Sequence, residues 1–462
     1  MATASLARAH CLYYLNIGSM VQKHAAVVAG AVIACRREFH AHRVRGIHKL
    51  DAPRAKFKHP MDQRSGSRRP AILLTVNQWW SWPARLAQAL VHHGCDVDLL
   101  CPAGHPAESI PGIRLVLRYD SGSTERRLRC ALSAREHDLV IPCGDLPWLQ
   151  LQRIGRRDAR HAGLVRRSLG AEAARDILVS RHATLELARE LGIRVPRSKL
   201  ARSEADLRDW PEPPTAPCVL KADYSNGGAG VAITHGFEAS LAAWRRLRAK
   251  PRLARALAQR YLSRVPLALW GRAQLGGQNV PVTLQDFVHG DPANALFYCR
   301  EGQVLGSIAV IAASTAGATG PATIVRPYDD AEMIEAGRAL IQRLGLSGFV
   351  GLDFMIEDVT RLPYLIEVNP RCTPIGHIAL PLTGSLAGRV AADLGASPPA
   401  TPWPAATQAS IALIGGLRPD QDPPADAHLD LPDDPALART LTLPPRPQRS
   451  RLHRLFKTFL RL

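Results

Sequence analysis

The sequence predicts a chain of two architectures, α/β in front and α+β behind: a small doubly wound α/β domain precedes a larger body built on antiparallel strands. Three observations carry this. From residue 71, AILLTV, a helical stretch over 82–93 and DVDLLCP follow as strand, helix and strand. Between 282 and 312, VTLQDFV, ANALFYC and VLGSIAVIA are separated only by the short polar runs HGDP and REGQ, the spacing of antiparallel strands joined by turns. GFVGLDFMI and YLIEV then form a closing pair of strands between 348 and 368.

At 462 residues and 46% apolar, the chain has length enough for two to four domains with their own cores. The net charge of +19 is uneven, because residues 1–69 hold 13 Lys and Arg against 3 acids. Such a balance attracts polyanions, but no RNA-binding aromatic signature or zinc-finger spacing accompanies it, so nucleic acid is not an expected partner. Nine cysteines, an odd number with no CxxC pair, fit reduced thiols and a cytoplasmic location. AAVVAGAVIAC, at 25–35, is about half the roughly 20 residues that cross a bilayer, so no membrane span is expected. Residues 1–69 are read as a basic extension, either disordered or a product of start-site choice, with Met61 as the alternative start.

The front domain is assigned to residues 70–165. It takes in a further strand at HDLVIPCGD and the helix after it, and it lacks GxGxxG, so no dinucleotide is expected. In SRHATLELARELGIRVPRS, Leu185, Leu187, Ala188 and Leu191 mark a helix, Gly192 its stop and Pro196 its exit. A Pro-rich linker, WPEPPTAP, leads to strand CVLKADY. Arg-rich helices over 237–262 read as solvated faces. After the antiparallel series and a Gly/Ala/Thr loop, a helix over 331–344 leads into the closing strands. Residues 396–462 form a Pro-rich region with a strand-like SIALIGG and a basic terminal helix, RSRLHRLFKTFL. No internal repeat is evident.

Two constellations carry chemistry. If the closing strands form a hairpin centred on Thr360, Asp353 and Glu367 fall opposite each other, and two carboxylates across a ladder repel. Asn369 shares Glu367's face by alternation, and Arg371 lies two further on. A hard divalent cation would turn the repulsion into coordination. The second constellation is Lys221 at a strand end followed by DYSNGGAGV, where Asn226, Gly227, Gly228 and Gly230 let backbone N–H groups approach an anion. NGG also makes ordinary hairpin turns, and no GK[ST] follows, so this is not a Walker loop.

In this order, VLKADYSNGGAGV and GLDFMI…YLIEVNPR resemble the ATP-grasp superfamily, of the carboxylate-amine ligase and carbamoyl-phosphate synthase kind, over roughly residues 71–390. The resemblance implies an ATP-grasp domain over 166–395, with a small lid at about 180–284 and a central sheet at about 285–395, behind a pre-ATP-grasp domain. It implies that Lys221 contacts the nucleotide phosphates and that the Gly-rich loop covers them. Asp353, Glu367 and Asn369 would hold Mg²⁺, or Mn²⁺ in its place, and Arg371 would stabilise the transferring phosphoryl group or an acyl phosphate. QDFVHGD resembles the hinge, placing the backbone of Phe287 and Val288 at adenine. Asp286 and Asp291 are the acids available near the ribose. Arg181 stands where relatives tend to have Lys, and keeps the charge with a bidentate geometry. Residues 245–280 look like an insertion that shapes the acceptor site or a subunit contact, leaving room for a homodimer.

The implied activity is that of an ADP-forming ligase. ATP activates a small-molecule carboxylate as an acyl phosphate, and an amine or similar nucleophile displaces the phosphate. The alternatives are bicarbonate activation of the carboxylase or carbamoyl-phosphate-synthase type, and a nucleotide-binding regulatory protein without turnover. Among lone residues, Arg326 is either a carboxylate contact or an exposed strand end. His289 and His377 read as packing or surface residues, the Trp79–Trp80 pair as packing beneath the front domain, and Cys372 as a residue without a catalytic base.

Overall fold

The computed structural model describes residues 68–119, 124–210, 217–223, 225, 230–249, 280–414 and 427–442. The N-terminal extension to residue 67, Asn226, Gly227, Gly228, residues 250–279 of the expected insertion and the basic terminal helix lie outside the described residues.

The front domain is built from β1 (Ala71–Thr75), α1 (Trp82–His92), β2 (Asp96–Pro102), β3 (Ile113–Tyr119), α2 (Thr124–Ala134), β4 (Leu139–Pro142), α3 (Asp145–Arg157) and α4 (Ala159–Leu169). Its sheet is parallel in the order β3-β2-β1-β4. AILLT is buried along its whole length, as a central parallel strand with both faces covered must be. β3 and α2 are absent from the sequence reading, although IRLVLRY carries a partial alternation of buried and half-buried positions. Asp145 follows β4 directly, at the carboxyl edge of the sheet.

Next come α5 (Arg175–Leu178) and α6 (Arg181–Glu190), then a second unit of β5 (Ser198–Leu200), α7 (Glu204–Arg208), β6 (Cys218–Ala222), β7 (Val231–Thr234), α8 (Gly236–Arg248) and β8 (Val282–Asp286). These four strands form an antiparallel sheet ordered β5-β8-β6-β7. The central sheet contains β9 (Gly290–Arg300), β10 (Gln303–Thr315) and β11 (Ala322–Pro327). After α9 (Ala331–Leu344) come β12 (Gly348–Glu357) and β13 (Pro363–Asn369). The expected series of three antiparallel strands is thus corrected. β9 and β10 form the hairpin, turning through Glu301 at φ 49° and Gly302 at φ 85°. β8 pairs instead with β5 and β6, and HGDP is no hairpin turn: β9 already begins at Gly290.

Past the short pair β14 (Ala379–Leu380) and β15 (Gly384–Ser385), α10 (Leu386–Asp393) is followed by β16 (Ile411–Ala412), β17 (His428–Leu429) and α11 (Pro435–Thr442). The central sheet runs β13-β12-β9-β10-β11-β16-β17. The described part of the region after residue 395 therefore extends the main sheet. Asp430, just past β17, accepts hydrogen bonds from Arg85 Nε at 3.1 Å and His377 Nε2 at 2.6 Å, all three side chains buried. His377 is a core histidine held through Nε2, while its buried Nδ1 has no partner among the described residues.

Alternation along β9 and β10 divides the interior. Leu296, Tyr298, Ile308 and Val310 pack with the α1 side of the front sheet and with α10. Ala295, Phe297, Cys299, Ala309 and Ile311 pack with α9, α3 and α4. Gly337 in α9 makes the second layer possible, because a Cβ there would fall 2.1 Å from Phe297 Cζ. Among the described residues seven cysteines are free thiols, and no helix is long and apolar enough to cross a membrane.

Candidate active site

The β12–β13 ladder pairs Gly351 with Asn369, Leu352 with Val368 and Asp353 with Glu367, then slips so that Phe354 faces Leu365. Ile366 is the extra residue of a β-bulge, and such a bulge re-aims neighbouring side chains and frees a carbonyl. Asp353 is clasped by two amides: Asn294 Nδ2 donates to Oδ1 at 2.6 Å and Asn369 Nδ2 to Oδ2 at 2.8 Å. Burial and then the charge of Glu367 push its carboxyl up to about 6, with the amides and Arg371 opposing. Thr373 Oγ1 in turn donates to Asn294 Oδ1 at 3.0 Å.

Three cations surround this pair. Arg371, buried, donates from Nη2 to Asn369 Oδ1 at 3.0 Å and from Nε to Asp145 of the front domain, with its guanidinium 5.9 Å from the Trp80 ring centre. Trp80, half-buried, also stacks on Trp82, while Trp79 lies near His105. Lys221, on β6, is 7% exposed and donates from Nζ to the Ile366 carbonyl at 3.2 Å. Burial lowers its pKa to about 8 and Arg181 adds to the fall, against the raising effects of Glu367 and Asp353.

Arg181 is the first residue of α6, placed by the Ser180 N-cap. Nη1 donates to Ala222 O at 2.6 Å, and Nη2 to Ser225 O at 2.7 Å and to Glu367 Oε1 at 2.8 Å. One guanidinium therefore ties the loop after β6 to β13. Its backbone N–H is accepted by Asp223 Oδ1 at 3.2 Å, and burial pushes the Asp223 carboxyl up to about 6 against the pull of Arg181. Gly230 permits the same loop to close, since a Cβ there would come within 1.9 Å of Ser225 Oγ.

The structure thus brings together Arg181, Lys221, Asp353, Glu367, Asn369 and Arg371. Asp286 and Asp291 do not join them. Asp286 pairs with Arg197 at 2.8 Å and Asp291 with Arg361 at 3.1 Å, both at the surface. Phe287 packs edge-on against His289, with ring centres 4.7 Å apart, and Phe287 and Val288 lie between β8 and β9 where the chain passes from one sheet to the other. Arg326 is exposed at the end of β11. Cys372 is fully buried and burial raises its thiol pKa, which suits packing and not nucleophilic attack. Sequence reasoning missed Asp145, Asp223 and Asn294. Asp223 lay inside VLKADYSNGGAGV, two residues after Lys221, while Asp145 and Asn294 lay in HDLVIPCGD and ANALFYC, segments read only as strands. Among the described residues no three His, Cys, Asp or Glu cluster as metal ligands. The expected set contains only two acids.

A cavity of about 70 Å³ adjoins the group. Asp145, Arg181, Glu367 and Asn369 line its polar part, and Trp148, Leu149, Leu178, Val179 and Leu185 its apolar part.

Residues 181–374 match the family described as ATP-grasp domain. They are an ATP-grasp domain. Its first residue is Arg181, and it ends just past Thr373, so every side chain of the cluster except Asp145 falls within it. In fold, the chain is similar to the biotin carboxylase domain of the *Hydrogenobacter thermophilus* 2-oxoglutarate carboxylase, crystallised with MgADP, ADP and bicarbonate. That likeness has 10% identity and a TM-score of 0.50, over 71% of this chain and 70% of that one. It is also similar to N5-carboxyaminoimidazole synthetase from *Staphylococcus aureus*, at 14% identity, 71% and 78% coverage and a TM-score of 0.48. An L-amino acid ligase from *Bacillus licheniformis* aligns at 14% identity, 66% and 69% coverage and a TM-score of 0.45. No curated protein matches the sequence.

Proposed function

We propose that the protein is a cytoplasmic, ADP-forming ligase that uses ATP to activate a small-molecule carboxylate and joins it to an amine. The observation that carries this reading is the pairing of Asp353 with Glu367 across one ladder, ringed by Lys221, Arg181 and Arg371. Burial and then the charge of Glu367 hold the Asp353 carboxyl up to about 6, so a cation arriving between the two acids would relieve both.

Mg²⁺ fits this donor set. Both acids offer hard oxygens with lone pairs beyond those engaged by Asn294, Asn369 and Arg181, and Asn369 has a carboxamide oxygen at the same place. Asp353, Glu367 and Asn369 would hold the cation, which when bound with the nucleotide supplies neutralisation of phosphate charge.

The chain's own residues do the rest by placement and charge. Lys221 and Arg181 bind phosphate oxygens, and the backbone at Phe287 and Val288 meets the adenine edge. Arg371, held by Asp145, steadies the acyl phosphate. The carboxylate oxygen attacks the γ-phosphorus and ADP leaves. The amine nitrogen then attacks the acyl carbon, phosphate leaves and the nitrogen loses a proton.

ADP release from the full chain, offered pools of carboxylic acids with pools of amines, tests the reading, with Glu367→Gln as control. At least one pool should raise ADP formation well above that variant. If none does, the ligase reading fails.

A further inference from the structure

We infer that the cavity between α3 and β13 receives the side chain of a small aliphatic α-amino acid, and that this amino acid is the carboxylate the enzyme phosphorylates. The inference rests on the ligase reading and names its substrate class. The apolar part of the cavity is made by three parts of the chain that meet here: Trp148 and Leu149 from α3, Leu178 at the end of α5 with Val179 just after it, and Leu185 on α6. These groups offer no charge to pair with a charged side chain, and burying one there would cost several kcal/mol. The volume of about 70 Å³ is about half of the roughly 150 Å³ cavity that takes up a benzene ring, room for a branched chain of three or four carbons and not for an aromatic ring.

The polar part sets the orientation. It opens on Glu367 and Asn369, where phosphoryl transfer is placed, so the substrate's carboxylate belongs at that end. There it meets Arg181, whose Nε–H is buried and has no acceptor among the described residues, a donor that an incoming carboxylate satisfies. Asp145, on the same wall, keeps a third of its side chain exposed while it holds Arg371. Its carboxylate brings to this wall a negative charge that suits a substrate ammonium. A head group carrying both signs, on a short aliphatic side chain, is an α-amino acid.

The test uses the full-length protein with Mg-ATP and hydroxylamine as the amine. The acyl phosphate is captured as a hydroxamate, the nitrogen attacking the acyl carbon as phosphate departs, and ADP is measured in parallel. Alanine, valine, leucine, phenylalanine, lysine, glutamate and 3-methylbutanoate, which is valine without its amino group, are compared. Valine or leucine should exceed lysine, glutamate and 3-methylbutanoate on the order of tenfold or more. Leu149→Trp, which fills the cavity, should remove the valine signal, and Leu149→Ala should shift preference towards phenylalanine. Calorimetry with ADP checks that each variant is folded. Equal turnover with a charged amino acid or with 3-methylbutanoate overturns the inference, as does a folded Leu149→Trp that retains valine turnover. Absence of turnover with all seven acids, when ADP still binds, overturns the amino-acid inference, and the ligase reading then stands or falls with the broader pools of carboxylic acids and amines. If Leu149→Trp does not fold, the wild-type substrate comparison still decides.

Discussion

Lys221 Nζ stands 3.2 Å from the carbonyl oxygen of Ile366, the residue that the β12–β13 ladder passes over. The bulge and the lysine therefore belong to one device: the sheet gives up a rung, and the carbonyl released anchors an ammonium from the neighbouring sheet. Burial already lowers that ammonium's pKa to about 8, so its positive charge is costly at neutral pH. Lys221→Met removes this cost while leaving the carbonyl without its donor, two opposing effects of about 1–3 kcal/mol each. Differential scanning calorimetry should find the melting temperature little changed. ATP-dependent turnover should fall on the order of 10²-fold or more.

Asp353→Asn separates stability from activity in a second way. It relieves the repulsion with Glu367 but sets an amide N–H₂ against one of the two donors that grip the carboxylate, Asn294 Nδ2 or Asn369 Nδ2. In EDTA these effects oppose each other, and the variant should melt close to wild type. Added Mg²⁺ and ADP should raise the wild-type melting temperature and leave the variant's nearly unmoved.

Arg371 depends on Asp145 across a separation of 226 residues. Asp145→Ala leaves a buried guanidinium with one anionic partner fewer, and should cost about 1.5–3 kcal/mol in urea unfolding, a figure kept low because Asp145 is a third exposed. Turnover should fall with it, because Arg371 is no longer aimed. Asp145→Asn should recover most of the stability and less of the rate.

Asp223 provides the pH dependence. Burial raises its folded pKa to about 6, above the ordinary carboxylate value, so the fold favours the protonated form. Its stabilising contribution is full below about pH 4 and is lost as pH rises through 6. Between pH 5 and 7.5 the nucleotide-free wild type should lose stability relative to Asp223→Asn, by on the order of 1 kcal/mol. Paired melting curves read this directly. Parallel curves across that range would show that the carboxyl titrates normally.

The paired carboxylates were legible because strand alternation and the count to Thr360 fix which residues of a hairpin face each other, and the ladder indeed sets Asp353 against Glu367. The slip at Ile366 was not legible, since no Gly or other local sign marks it. Asp145 and Asn294 were hidden for a different reason. Each is an ordinary residue in its own element, and it joins the cluster only when segments 59 to 226 residues apart meet. β8 misled because a strand followed by a short polar run ending in Gly-Asp-Pro signals a hairpin, and local signals do not say to which sheet a strand belongs.

Asp430 has a consequence for how this protein can be taken apart. The family match ends at residue 374, yet the carboxylate that satisfies Arg85 and His377 and the strand that covers β11 both come from beyond residue 410. A fragment cut at the family's borders would bare Ile324 and Val325 on an open sheet edge, an invitation to self-association, and would leave His377 inside if the cut fell slightly later, with nothing to hold it. The natural unit of expression is larger than the unit of descent.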